Sequence, residues 1–174
     1  MKSWFKFPLL ALAALITTSS LIPEGFNGGT LVKTPQGYIP IEFIEPGDLV
    51  FCFNDYGELV ATRVTQVNVT VTSQAFLFST DNRTDGVCSF IADYDQLLYV
   101  IPDRDWFRAN MLQRGHQLLN CRHHPVRIQA MQYLHRDITV YALSVEKYHN
   151  YFISHDDILA RNLPRVTKKS LLFR

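Results

Sequence analysis

Three cysteines in 174 residues are too few for a disulfide framework. Because three is odd, an oxidising compartment would leave at least one thiol free or joined to another chain. An excess of either charge is also missing: seventeen Lys and Arg face sixteen Asp and Glu, a net charge of +1. No global field therefore draws the chain to nucleic acid or to an anionic membrane. Long apolar runs are absent as well. The ten residues Phe7 to Ile16 fall short of the roughly 20 that a bilayer span needs. Helical periodicity is scarce beyond residue 20, which excludes a helix bundle.

What is there begins with a sorting signal. Lys2 and Lys6 precede the apolar run, and Thr17, Thr18, Ser19 and Ser20 follow it, the order of a secretory signal peptide. Thr18 and Ser20 suit a cut after Ser20. Residues 1–20 are thus expected to be removed, residues 21–24 to form a short lead-in, and the mature chain to be secreted or periplasmic; an uncleaved anchor is the alternative. No cysteine follows the run, which argues against a lipid attachment. At the other end, residues 163–174 form a short basic tail that reads as a solvated end. A chain that is 47% hydrophobic and 13% aromatic suffices for one domain with its own core.

The rest is punctuated by turns. LVFCF (49–53), the turn formers NDYG (54–57) and ELVATRV predict a hairpin. In QVNVTVT, Val67, Val69 and Val71 alternate with Asn68, Thr70 and Thr72, predicting a strand with the valines on its buried face. VCSFIA, QLLYVI, VRIQAMQYL, ITVYALSV and NYFIS are further short strand candidates, and together they predict a compact all-β domain. A five-position frame recurs after 68 residues: Ile41, Ile44, Gly47, Asp48 and Val50 return as Ala109, Leu112, Gly115, His116 and Leu118. Each copy reads as a helical turn, a glycine and a strand, the pattern of two related β subdomains.

Three stretches, GFNGGTLVKTPQGYIPIEFIEPGDLV, DWFRANMLQRGHQLL and VYALSVEKYHNYFISHDDILARN, resemble in order and spacing the motifs of Hint domains. That family comprises inteins, hedgehog autoprocessing domains and bacterial intein-like and pretoxin relatives. The resemblance covers about 25–162 and implies a horseshoe-like all-β fold of two pseudo-twofold-related subdomains. It also implies an autoprocessing domain that carries out at most single-turnover self-cleavage, without a cofactor and without a small-molecule substrate.

Departures from the family pattern define the functional expectation. Gly25 stands where the family has its cysteine or serine nucleophile, so no acyl shift is open there. Read in register, Ala92 and Asp95 fall on the threonine and histidine of the middle T-x-x-H motif. Arg161 replaces the penultimate histidine, and its guanidinium does not exchange protons near neutral pH. Asn162 and His149 are retained: the resemblance implies that Asn162 cyclises onto its own carbonyl and breaks the Asn162–Leu163 bond with help from His149. The bland alternative for Asn162 is a cap after the last strand, and for His149 a structural histidine in a turn. Gly25 itself reads as a neutral replacement for a nucleophile no longer in use.

Cys121, His123 and His124 offer one further option. CRHHP resembles a displaced T-x-x-H-P block, but it follows the W-x-x-A motif instead of preceding it. The same three residues are weak metal candidates. No C-x-x-C or H-x₃-H partner accompanies them, so no metal is expected and the stretch reads as a surface strand. The expectation carried forward is a secreted Hint domain, inactive in splicing, that serves as a β scaffold for an unidentified protein partner. Residual C-terminal cleavage at Asn162 is the alternative.

Overall fold

The computed structural model describes residues 24–82 and 86–162. The expected signal peptide and basic tail lie outside the described residues. Fourteen strands run in chain order: β1 Phe26–Asn27, β2 Leu31–Thr34, β3 Gly37–Pro40, β4 Leu49–Phe53, β5 Leu59–Thr72, β6 Ala75–Asn82, β7 Gly86–Asp93, β8 Leu97–Val100, β9 Asp105–Arg108, β10 Gln117–Leu119, β11 Pro125–Leu134, β12 Ile138–Val145, β13 Asn150–Ile153 and β14 Ile158–Arg161. No α-helix occurs among the described residues, so none is long and apolar enough to cross a membrane.

Every pairing is antiparallel, and the strands hydrogen-bond in the order β3-β2-β13-β14-β8-β10-β11-β6-β7-β1-β12-β5-β4, with β9 on β8. The result is a curled sheet built from two similar halves. In the first half a single 3-10 turn, Ile41–Phe43, leads through Gly47 (φ 106°) into β4; in the second, Ala109–Met111 leads through Gly115 (φ 95°) into β10. The hydrogen bonds repeat too. Gly47 N–H donates to Val64 O as Gly115 N–H donates to Ile128 O. The Asp48 carboxylate accepts from Glu45 N–H (2.8 Å), and the His116 Nδ1 accepts from Gln113 N–H (3.2 Å). The pseudo-twofold relation expected from the sequence frame is therefore real, and aspartate and histidine serve it equally because both offer an acceptor at one place.

The main core runs through both halves. Phe26, Phe78, Phe90 and Tyr151 are buried together, with Phe26 edge-on to Phe90 and Tyr151 and Phe78 stacked on Phe90 at 5.3 Å. Full burial of such side chains contributes about 1.5–3 kcal/mol each. A smaller cluster of Phe53, Phe152 and Leu159 is closed by His123, whose ring stacks on Phe53 at 4.6 Å.

Two local expectations are corrected. Two of the three valines of QVNVTVT face outward: Val69 is 55% and Val71 62% exposed, while Val67 packs partly buried against the core and Thr62, Val64 and Thr72 turn inward. The pairing of β5 with β12 shifts register between Val64 and Gln66, so the alternation of QVNVTVT does not set a single buried face. His123 and His124 lie in a turn, where Asn120 Oδ1 accepts from Arg122 N–H and His124 N–H, both at 2.9 Å. An Asx-type turn has displaced the expected strand start to Pro125.

Candidate functional site

The hairpin of β13 and β14 delivers the chain's last described residue into a buried place. Its register pairs Asn150 with Arg161 and Tyr151 with Ala160, and ILAR buries three of its four residues. Asn162 follows directly and is 5% exposed. Its amide is held on both atoms: the Tyr151 hydroxyl donates to Oδ1 at 2.6 Å, and Nδ2 donates to Gln96 Oε1 at 3.2 Å and to Glu24 Oε2 at 3.3 Å. Burial pushes the Tyr151 hydroxyl far above its ordinary range, and the nearby Glu24 charge adds to this. Tyr151 is therefore a permanent donor here.

Gln96 is fully buried and bridges the site, because its Nε2 also donates to the Arg161 carbonyl at 2.9 Å. Its placement follows from the internal symmetry. Thr30 N–H donates to Asn27 O and Ile41 N–H to Thr30 O; in the second half Gln96 N–H donates to Asp93 O and Ala109 N–H to Gln96 O. Asp93 to Gln96 is thus the structural counterpart of Asn27 to Thr30. Ala92 is core, paired with Phe26 and Phe76, and Asp95 pairs with Arg108 at 3.1 Å; neither touches Asn162.

Position 25 completes the arrangement. Gly25 has φ +135°, and a Cβ there would sit 2.4 Å from Tyr141 O and 2.7 Å from Tyr141 C. The Gly25 carbonyl accepts from Asp93 N–H at 2.9 Å. Glycine is required by this backbone, so the expectation of a neutral replacement is corrected: a side chain has no room. Asp93 is 1% exposed, and its Oδ2 has no hydrogen-bond partner among the described residues. Burial raises its carboxyl above the ordinary range, against smaller lowering effects from the Asp95 amide and the neighbouring Thr72 hydroxyl.

The pretoxin HINT domain family matches residues 31–162. The chain belongs to that family. Solved structures agree on the fold of this HINT domain. A bacterial intein-like domain from Clostridium thermocellum is similar with TM-score 0.73 at 24% identity, over 80% of this chain and 99% of that one. A DnaB intein from Synechocystis is similar with TM-score 0.67 at 17% identity, over 82% and 100%. The gp41-1 intein gives 0.63 at 19%, over 80% and 99%. Among curated proteins nothing matches the sequence.

Within the HINT domain the remaining expected residues are dispersed. His149 is half-buried with φ 55° and directly precedes the Asn150–Arg161 pair, where the pairing of β13 with β14 ends. The partners of Asn162 among the described residues are Tyr151, Gln96 and Glu24. The Arg161 guanidinium lies 5.5 Å from the centre of the Trp106 ring, and its Nε is buried without a hydrogen bond among the described residues. The Cys121 thiol donates to Asp157 at 3.1 Å, and burial pushes it up to about 11. His123 Nε2 lies 3.1 Å from Gly57 O. With His124 exposed, no group of three such side chains able to hold a metal occurs among the described residues. No disulfide joins the three cysteines to one another.

Sequence reasoning missed Glu24, Gln96 and Tyr151. A signal existed for Tyr151, since strand alternation puts it on the face of His149. The other two become visible only when the two halves are superposed and the chain's first described residue is seen against its last.

Proposed function

We propose that this HINT domain retains one self-cleavage step, cyclisation of Asn162 with rupture of the Asn162–Leu163 bond, and that the N-terminal acyl shift is closed. The observation that carries the reading is the two-sided grip on the Asn162 amide inside a buried polar site. A leftover cap residue would need no such enclosure. In the step, Nδ2 attacks the Asn162 carbonyl carbon, a succinimide forms, and the Leu163 nitrogen leaves with a proton. The Tyr151 hydroxyl and the Gln96 amide orient the nucleophile and fix the Arg161 carbonyl beside it. His149, which directly precedes the Asn150–Arg161 pair, is the imidazole assigned to protonate the departing amine, a role worth typically ~10²–10⁴-fold. The absence of any space at Gly25 for a nucleophile supports the closed N-terminal step.

A second reading, a β scaffold without cleavage, is favoured by Asp95 and Arg161 standing where the resemblance expects imidazoles. One experiment separates the two. Intact mass of purified protein is followed over days at neutral pH, wild type beside Asn162→Ala and His149→Ala. The cyclisation reading expects loss of residues 163–174 from wild type, slow loss from His149→Ala and none from Asn162→Ala; equal behaviour of all three would sink it. We also place the domain outside the cytoplasm, on the strength of Lys2, Lys6 and the apolar run Phe7 to Ile16; recovery of the full, uncut chain in the cytosolic fraction would refute that.

A further inference from the structure

We infer that the Glu24 carboxylate is the proton acceptor for Asn162, so that the residue entering the domain at one end activates the residue leaving it at the other. The inference rests on the cyclisation reading and deepens it. An amide nitrogen attacks only as it gives up a proton, and Asn162 Nδ2 has two acceptors within reach: Gln96 Oε1 at 3.2 Å and Glu24 Oε2 at 3.3 Å. The Gln96 oxygen is a neutral amide and cannot hold a proton in water's range. Tyr151 faces the other side of the amide as a donor. Of the three side chains that hydrogen-bond Asn162 among the described residues, Glu24 alone can act as a base.

Its position is built, not incidental. Phe26 is fully buried and paired with both Tyr141 and Ala92, and the Gly25 carbonyl is bound by Asp93 N–H. These contacts anchor the two residues that follow Glu24, and the left-handed turn at Gly25 (φ +135°) directs the chain before it toward Asn162. The place where relatives carry a nucleophile thus serves here as the hinge that presents a carboxylate.

The step balances. The Nδ2 proton passes to Glu24 Oε2 as the Nδ2–C bond forms at the Asn162 carbonyl. The tetrahedral centre then expels the Leu163 nitrogen, the C–N bond breaks, and the amine takes a proton from His149 or water. The products are a chain ending in a succinimide at position 162 and a free peptide of residues 163–174. Glu24 returns its proton to solvent.

The test follows tail loss by intact mass across pH 3–9 in wild type, Glu24→Gln, Glu24→Asp and Asn162→Ala. Gln keeps an oxygen that can accept from Nδ2 but cannot take the proton, so a merely structural role would be rescued by it. We expect Glu24→Gln to cleave about 10²–10³-fold more slowly and to lose the acidic limb of the rate profile, with Glu24→Asp recovering part of the rate. Glu24→Gln cleaving at the wild-type rate with an unchanged profile would overturn the base assignment while leaving Asn162 cyclisation intact. A wild-type protein that never sheds its tail would overturn both.

Discussion

At Gly25 the fold leaves a nucleophile no place to stand. A cysteine there would force its Cβ to 2.4 Å from the Tyr141 carbonyl oxygen in a left-handed backbone, and the conformational strain alone is on the order of 1–3 kcal/mol. Gly25→Cys is therefore predicted to melt several degrees below wild type and to yield no hydroxylamine-trapped intermediate. A variant of wild-type stability that forms a thioester would contradict this. Asp93 makes a second prediction. Its folded carboxyl titrates above the ordinary 3.8 because burial penalises the charged form. The folded state therefore holds a proton that the unfolded chain has released, and stability falls as pH rises from about 4 through the folded value. Asp93→Asn, which carries no charge to bury, should be the more stable protein at pH 7, with the advantage gone near pH 4. Thermal melts of both proteins at the two pH values decide it; a constant difference would remove Asp93 as its source.

Between elements, one side chain takes the place of a strand ladder. β4 ends the hydrogen-bonded path and does not pair with β13, yet Asn150 at the start of β13 accepts from Phe53 N–H at 2.8 Å and donates to Phe53 O at 3.0 Å. Each buried backbone group orphaned by its loss costs about 1–3 kcal/mol. Asn150→Ala is predicted to lose about 2–4 kcal/mol in urea unfolding, while Asn150→Asp keeps only the accepting half; an Asn150→Ala protein as stable as wild type would show the contact to be idle. At this scale most of the fold was legible. Strands β4, β7, β8, β11, β12 and β13 stand where their short apolar and alternating runs put them. The face of β5 was not, because its valines and threonines are both β-branched and a register shift between Val64 and Gln66 interrupts the alternation. Gln96 was hidden by a loop: two residues join β2 to β3 but four join β8 to β9. The two halves therefore align at a spacing of 66 before that turn and 68 after it, so the 68-residue frame does not lead from Thr30 to Gln96.

Across the whole molecule the two halves are interwoven. The path from β2 to β8 passes through β13 and β14, and β1 lies between β7 and β12, so neither half has a sheet of its own to fall back on. Trp106 fluorescence and far-UV circular dichroism should report a single coincident unfolding transition; two separated transitions would contradict the shared core. The same weaving brings Glu24 and Asn162 within hydrogen-bonding distance, so the site belongs to neither half. The family's fold and the retained Asn162 could be read from motif order. The Glu24 contact could not, because it joins residues 138 apart whose meeting depends on the closure of the entire sheet.

The most direct test is the mass of the retained chain immediately after tail loss. Cyclisation predicts a fragment ending at Asn162 that is lighter by one water than simple hydrolysis would leave, slowly regaining that water as the succinimide opens, and it predicts no such species from Asn162→Ala. A wild-type chain that keeps its full mass, or that loses residues 163–174 only as the hydrolysed acid and does so equally from Asn162→Ala, would contradict the account.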